Sequence, residues 1–177
     1  MDWVEILLEE YKMLRQESLN AMNNRNRILS FGLATIGAIL AGSIAAHTKS
    51  TYSPVSCLAL IFMVPVISTF VLLMWFGEYK RMQRAGKFLS GLEDRINKDA
   101  RKRLLTWETH LRDKKLHMKY PYYATVALLL VISWISLVLG LIAADLPATQ
   151  MRLAAIAGAL IHLGLGLYVR YRILKLL

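Results

Sequence analysis

The sequence predicts an all-α integral membrane protein: a four-helix membrane bundle with an N-terminal amphipathic helix and a cytoplasmic helical hairpin. Three observations carry this reading. Four blocks, Ile28–Ala46, Val55–Gly77, Tyr122–Ala144 and Leu153–Val169, contain no Asp, Glu, Lys or Arg. Hydrophobic residues make up 56% of the chain, above the roughly 45–50% of soluble domains, and the excess sits in those blocks. The blocks are also apolar all round, whereas helices of a soluble bundle keep a polar stripe at period 3.6. Three of them have 19 to 23 residues and the fourth has 17. About 20 residues cross ~30 Å of hydrocarbon at ~1.5 Å per residue.

The distribution of charge sets the orientation. Two membrane hairpins, 28–77 (spans 28–46 and 55–77) and 122–169 (spans 122–144 and 153–169), leave 1–27, 78–121 and 170–177 on one side. That side carries 20 of the 22 Lys and Arg, and the connections 47–54 and 145–152 carry two, Lys49 and Arg152. The positive-inside rule places the 20 in the cytoplasm, so both termini are cytoplasmic and the protein is multi-pass in the inner (plasma) membrane. A leader that is short and basic would suggest a signal peptide. Here 27 residues precede the first block and include Asp2, Glu5, Glu9, Glu10 and Glu17, so no cleavage is expected.

Residues 1–27 form the first predicted helix. Val4, Leu7, Tyr11, Leu14, Ser18 and Met22 recur at three and four, with Ile6 and Leu8 widening the stripe. Glu5, Glu9, Lys12, Arg15 and Glu17 cover the other face, where Glu9 and Lys12 are spaced to pair. No Pro or Gly separates this helix from the first membrane block. Its acidic face and the basic 78–121 segment share a side, so the two can pair.

Within the membrane blocks, small residues recur every four positions. Ala34, Ala38, Gly42 and Ala46 make the longest row; Ser136, Gly140 and Ala144 make a second; Ala154, Gly158 and Gly166, with His162 in the same row, make a third. Lipid offers little hydrophobic drive between helices, so close backbone approach has to hold them together. The rows therefore mark either packing inside one protomer or an interface between copies. Pro65 lies near the middle of the second block and predicts a kink or hinge. Ser68 and Thr69 follow it and are placed to re-satisfy freed carbonyls. Trp75, Phe76, Tyr79, Tyr120, Tyr122, Tyr123, Tyr168 and Tyr171 gather near the cytoplasmic boundary as interfacial anchors.

The connection 78–121 holds 13 of the 22 basic residues. Tyr79, Met82, Gly86, Leu89, Leu92 and Ile96 keep helical spacing, so the second membrane helix should continue to about Asn97. Asn97–Asp99 is the expected turn. A second helix should follow over roughly 100–118 with Leu104, Trp107 and Leu111 on one face. Lys80, Arg81, Arg84, Arg101, Lys102, Arg103, Lys114 and Lys115 are the candidate contacts to anionic lipid head groups or a cytoplasmic protein partner. Nucleic-acid binding would need a recognisable fold or an aromatic platform, and neither is visible, so no nucleic acid is expected.

Catalytic chemistry finds little to stand on. His162 is the only titratable side chain well inside a block, which makes it a candidate intramembrane polar site together with Ser68 and Thr69. His110, Asp113 and His117 share a helical face near Glu108, but the flanking lysines repel cations, and no metal or cofactor is predicted. Glu108 has no partner base or nucleophile in sight, so no enzyme is predicted. Lone Cys57 reads as a small buried hydrophobe. With no carboxylate in any block, proton-coupled export is disfavoured. Several copies could still line a pore with Ser30, Thr35, Ser43, Ser68, Thr69, Ser133 and Ser136.

The pattern Tyr11-x-x-Leu14-Arg15-x-Glu17, then Arg25 and Arg27 before an apolar helix, resembles the opening of small prokaryotic four-span membrane proteins of uncharacterised role. So does the run Gly86-x-Phe88-Leu89…Glu93…Trp107-Glu108. In layout the chain is also similar to the small membrane effectors of bacterial anti-phage systems, although many of those have two spans and an attached sensor domain. That resemblance implies a homo-oligomer that permeabilises the inner membrane. The sequence thus leads to a self-associating, non-enzymatic membrane protein, a pore-forming or membrane-disrupting effector controlled through its cytoplasmic helices. The alternatives are a membrane scaffold that recruits a cytoplasmic partner without conducting, and, behind it, a small channel or a lipid-acting membrane enzyme.

Overall fold

A computed structural model describes residues 3–46, 54–108, 110, 120–143, 149, 153, 156–158, 160, 163, 164, 167, 168 and 171. Among them the chain is all-helical, with no strand. Helix α1 spans Trp3–Ala45 without a break. Helix α2, Pro54–Leu58, opens on a proline, the residue best tolerated at a first helical position. A π-helical turn, Ala59–Met63, joins it to α3, Val64–Asp99. Helix α4 spans Tyr120–Ala143. Three stretches, Trp3–Ala45, Val55–Asp99 and Tyr122–Ala143, are long and apolar enough to cross a bilayer. Ala154, His162, Gly166 and Ala144, and most of the other residues of the fourth block, lie outside the described residues.

The predicted continuity is present at both places. The amphipathic 1–27 segment and the first block form one helix, and α3 runs through Gly86 and Gly91 to Asp99. The expected helix over 100–118 starts later than predicted. Ala100–Lys102 turn, 103–106 are irregular, and helical backbone is described at 107, 108 and 110. Arg101 sits at φ 49°, the left-handed conformation that commonly ends a helix.

The contacts divide the chain into two compact units. Unit 1 comprises Met1–Leu29 and Met74–Pro121, and unit 2 comprises Ser30–Leu73 and Tyr122–Leu177. The divisions fall within a few residues of the ends of the uncharged blocks. In unit 1, Tyr11, Leu89 and Leu92 form a core on which Leu7, Leu14 and Leu105 pack. This matches the predicted stripes, with Ala21 also buried, while Ile6, Leu8 and Met22 stay exposed. In unit 2, Ile61, Leu137 and Leu141 form a core. Its outward surface is apolar: Phe31, Phe62, Phe70 and Ile142 are all exposed.

Pro65 acts through the π turn rather than through the hydroxyls that follow it. In π registration each carbonyl bonds the N–H five residues on, and Val64 N–H does donate to the Ala59 carbonyl. The Leu60 carbonyl would need the N–H of residue 65, which proline lacks. Ser136 Oγ of α4 donates to it instead, at 2.6 Å. Gly140, one turn along α4, lets the helix come that close: a Cβ there would lie 2.6 Å from Ile61 Cγ1 and 3.2 Å from the Ile61 backbone nitrogen. Thr69 Oγ1 bonds the Pro65 carbonyl at 2.7 Å. Ser68 Oγ is buried with no hydrogen-bond partner among the described residues. The predicted repair by Ser68 and Thr69 is therefore corrected to one by Ser136.

Candidate functional site

The most developed polar arrangement lies in unit 1 around Glu93. Leu89 and Ile96 put the buried stripe of α3 at spacings of four and three around position 93, so a carboxylate there points inward with them. Glu93 is 0% exposed. Burying a carboxylate is costly unless hydrogen bonds replace its water. Two segments supply them. Tyr11 of α1 donates its hydroxyl to Glu93 Oε1 at 3.1 Å, and the Glu108 backbone N–H donates to the same oxygen at 3.0 Å.

The second donor is available because of how the chain leaves α3. Asn97 Oδ1 accepts the N–H groups of Leu104 at 2.7 Å and Leu105 at 2.9 Å, and its Nδ2 donates back to the Leu105 carbonyl. This pins the irregular stretch and turns Leu105 into the core. The backbone becomes helical at Trp107, with His110 N–H bonding the Thr106 carbonyl at 2.8 Å. Glu108 N–H is then one of the first amides of a helical turn, which has no partner of its own within the turn. Glu93 fills that role and places negative charge where the helix favours it. The Glu108 carboxylate lies near Gly86, where a Cβ would meet its Oε2 at 3.5 Å, in ordinary van der Waals contact.

Burial, and after it the charge of Glu93, pushes the Tyr11 phenol above its ordinary value, while Arg15 acts on the same phenol in the opposite sense. Two turns along α1, Glu17 pairs with Arg81 at 2.9 Å, and this hydrogen bond raises the guanidinium pKa further. One residue of the acidic face, Glu17, thus pairs with the basic connection, while Glu5, Glu9 and Glu10 are exposed. Glu9 and Lys12 also pair, at 3.6 Å, on the exposed side. Near the division between the units, Arg25 lies over the Trp75 ring at 5.5 Å, with Tyr79 stacked on Trp75 and Phe76 edge-on to it.

Most residues of the two patterns that carried the resemblance thus converge in unit 1. Tyr11 bonds Glu93, Leu14 packs on the core that holds Leu89, Glu17 pairs with Arg81, and Arg15 acts on Tyr11. Spacing alone assigns Glu93 no role of its own. Its signal was a carboxylate four residues after Leu89, on a face otherwise apolar.

The predicted site residues separate into three groups. Ser136 and Gly140 pack on the π turn, and Gly158 packs against Leu137, inside the protomer. Ala34, Ala38, Gly42 and Ala46 are exposed along α1. Arg84, Arg101, Lys102 and Arg103 are exposed, Lys80 is half-buried, and Lys114 and Lys115 lie outside the described residues with Asp113 and His117. The proposed pore hydroxyls are mostly turned inward: Ser43, Ser68, Ser133 and Ser136 are buried in unit 2. Leu104 and Trp107, expected on one face of a helix, are both exposed, with Leu104 in the irregular stretch and Trp107 at the start of the helical backbone.

The chain is an all-helical protein with three helices among its described residues suited to crossing a membrane. No family model, no curated protein and no solved structure matches it.

Proposed function

We propose that the chain is a self-associating, non-enzymatic, four-span protein of the inner membrane whose cytoplasmic helices control a membrane-permeabilising assembly. The observation that carries self-association is the row Ala34, Ala38, Gly42 and Ala46. It is the longest small-residue row in the sequence, and it faces away from the protomer's own core. Rows of this kind let helices approach closely in lipid, and the rows that do pack inside the protomer, at Gly140 and Gly158, do so tightly. Control through unit 1 is supported by α1 itself, which is one helix from Trp3 through the exposed row to Ala45. Both termini and the 78–121 connection are cytoplasmic in this reading, on the strength of the Lys and Arg distribution.

The test is oligomer size in lipid nanodiscs for the intact chain and for Gly42→Leu, with ion flux from reconstituted liposomes. The expected result is a defined oligomer that conducts, and a shift to smaller species with loss of flux in the variant. Unchanged size in the variant would remove α1 as the interface. A specific observation favours a second reading, a scaffold that recruits a cytoplasmic partner without conducting. Ser43, Ser68, Ser133 and Ser136 are buried within the protomer, which withdraws most of the hydroxyls available to a pore lining. A confirmed oligomer without flux selects the scaffold.

A further inference from the structure

We propose that the end of unit 1 spanning residues 95–107 is a docking surface for an acidic protein segment that carries exposed apolar side chains. This rests on the reading above in one respect, that the 78–121 connection is cytoplasmic. Arg95, Lys98, Arg101, Lys102 and Arg103 are all exposed, and none of them forms an ion pair among the described residues, whereas Arg81 is tied to Glu17. Within the same short stretch, Leu104 is 63% and Trp107 56% exposed. Their exposure follows from a pinned backbone. Asn97 holds the amides of Leu104 and Leu105, so Leu105 turns into the core while Leu104 and Trp107 stay outside. A large apolar side chain held outward among arginines has the composition of an interface centre, where Trp and Arg carry most of the binding energy.

Charge complementarity selects an anionic occupant, and position selects a soluble one. Helix α3 is unbroken from Tyr79, in the interfacial aromatic group, to Asp99, 20 residues on. At ~1.5 Å per residue that is about 30 Å, while the field of charged head groups decays over about 8 Å at physiological ionic strength. With α3 standing along the bilayer normal, Lys80, Arg81 and Arg84 are within reach of lipid and Arg101, Lys102 and Arg103 are not. Asp94 and Asp99 are exposed between the cations, which a row of phosphates would oppose and a protein segment of mixed side chains tolerates. Trp107 is a single ring beside Leu104, whereas a nucleic-acid strand is held by several aromatic faces on which successive bases stack.

The test uses the full chain in nanodiscs of zwitterionic lipid. The probes are a Glu-rich peptide with interspersed Leu and Phe, an all-Glu peptide of equal length and an oligo-dT strand. Binding of the mixed peptide should fall by about tenfold or more in the combined Arg101→Gln, Lys102→Gln, Arg103→Gln variant. Trp107→Ala should weaken the mixed peptide and leave the weaker all-Glu peptide unchanged. Equal binding by wild type and the triple variant overturns the proposal. So does tighter binding of oligo-dT, or binding that appears only when anionic lipid is added. Oligomer size and ion flux, measured on the same triple variant, keep the two proposals apart: absent flux counts against the pore alone, and absent peptide binding against the docking surface alone. Labelling of Lys102 only from outside the cell would remove the orientation on which the proposal rests.

Discussion

In unit 1 the interior holds Tyr11, Leu89, Leu92 and a carboxylate, and the outside carries paired and unpaired charges. In unit 2 the interior holds Ser43, Ser68, Ser133 and Ser136, while Phe62 and Phe70 face outward. Both contain stretches of α1 and α3, so helix formation alone does not separate them. What differs is composition: the stretches in unit 2 are uncharged and apolar enough to suit lipid, and those in unit 1 carry the charges. Water drives leucines inward and lets ions stay outside. Lipid gives no such drive, so small residues and hydroxyls mediate helix contact and large apolar side chains can face out. The one buried carboxylate among the described residues accordingly belongs to unit 1, where α1 and the 104–108 stretch both reach it with donors.

The largest expected effect breaks unit 1 alone. Glu93→Ala leaves the Tyr11 hydroxyl and the Glu108 N–H without their acceptor, at a cost of about 3 kcal/mol. Hydrogen exchange in a membrane mimetic should quicken over 7–14 and 85–96 and stay slow over 129–141. If both regions quicken together, the two units are one cooperative block and the comparison fails. Gly140→Leu is the converse experiment. Its side chain would collide with Leu60 and Ile61, costing about 2 kcal/mol by overpacking, and exchange should quicken over 60–72 while 85–96 is spared.

A smaller effect carries a pH signature. Tyr11→Phe should cost about 1.5 kcal/mol at neutral pH, since the lost hydrogen bond is to a carboxylate. The phenol is held above its ordinary value, first by burial and then by the charge of Glu93. A group whose folded value is raised contributes stability that is whole below the unfolded value and is lost as pH rises through the folded one. Thermal stability of the wild type should therefore fall in the window above about pH 10 more steeply than that of Tyr11→Phe. Parallel curves would show that the phenol's value is not raised in the folded state. Ser136→Ala should have the smallest effect, about 1 kcal/mol, because it leaves only the Leu60 carbonyl without a donor. Restoration by the double variant Pro65→Ala with Ser136→Ala, which returns an N–H at position 65, would tie the serine to the proline. No restoration would dissolve that link.

Periodicity made much of this legible. The uncharged blocks, the Leu7–Tyr11–Leu14 stripe, the onward run of α3 and a pairing between the acidic helix and the basic connection all follow from spacing and charge. Glu93 was harder to read, because a carboxylate beside a leucine stripe looks the same whether it rotates to solvent or is met by two donors. The donors come from positions 82 residues earlier and 15 later, which no local window contains. The same holds for Ser136 and Pro65. Each is ordinary in its own helix, and they matter to each other only because a π turn shifts the missing N–H onto the Leu60 carbonyl.

The sequence by itself determined which stretches are long and apolar enough to cross a membrane, because uncharged length is a property of composition that no packing can reverse. Tertiary structure alone decided which small residues are internal and which face away. Ala34, Ala38, Gly42 and Ala46 repeat as regularly as Ser136 and Gly140, yet the first row is exposed and the latter pair is buried. The physical reason is that a helix fixes where its side chains point relative to one another. Which of its faces is covered depends on the other helices.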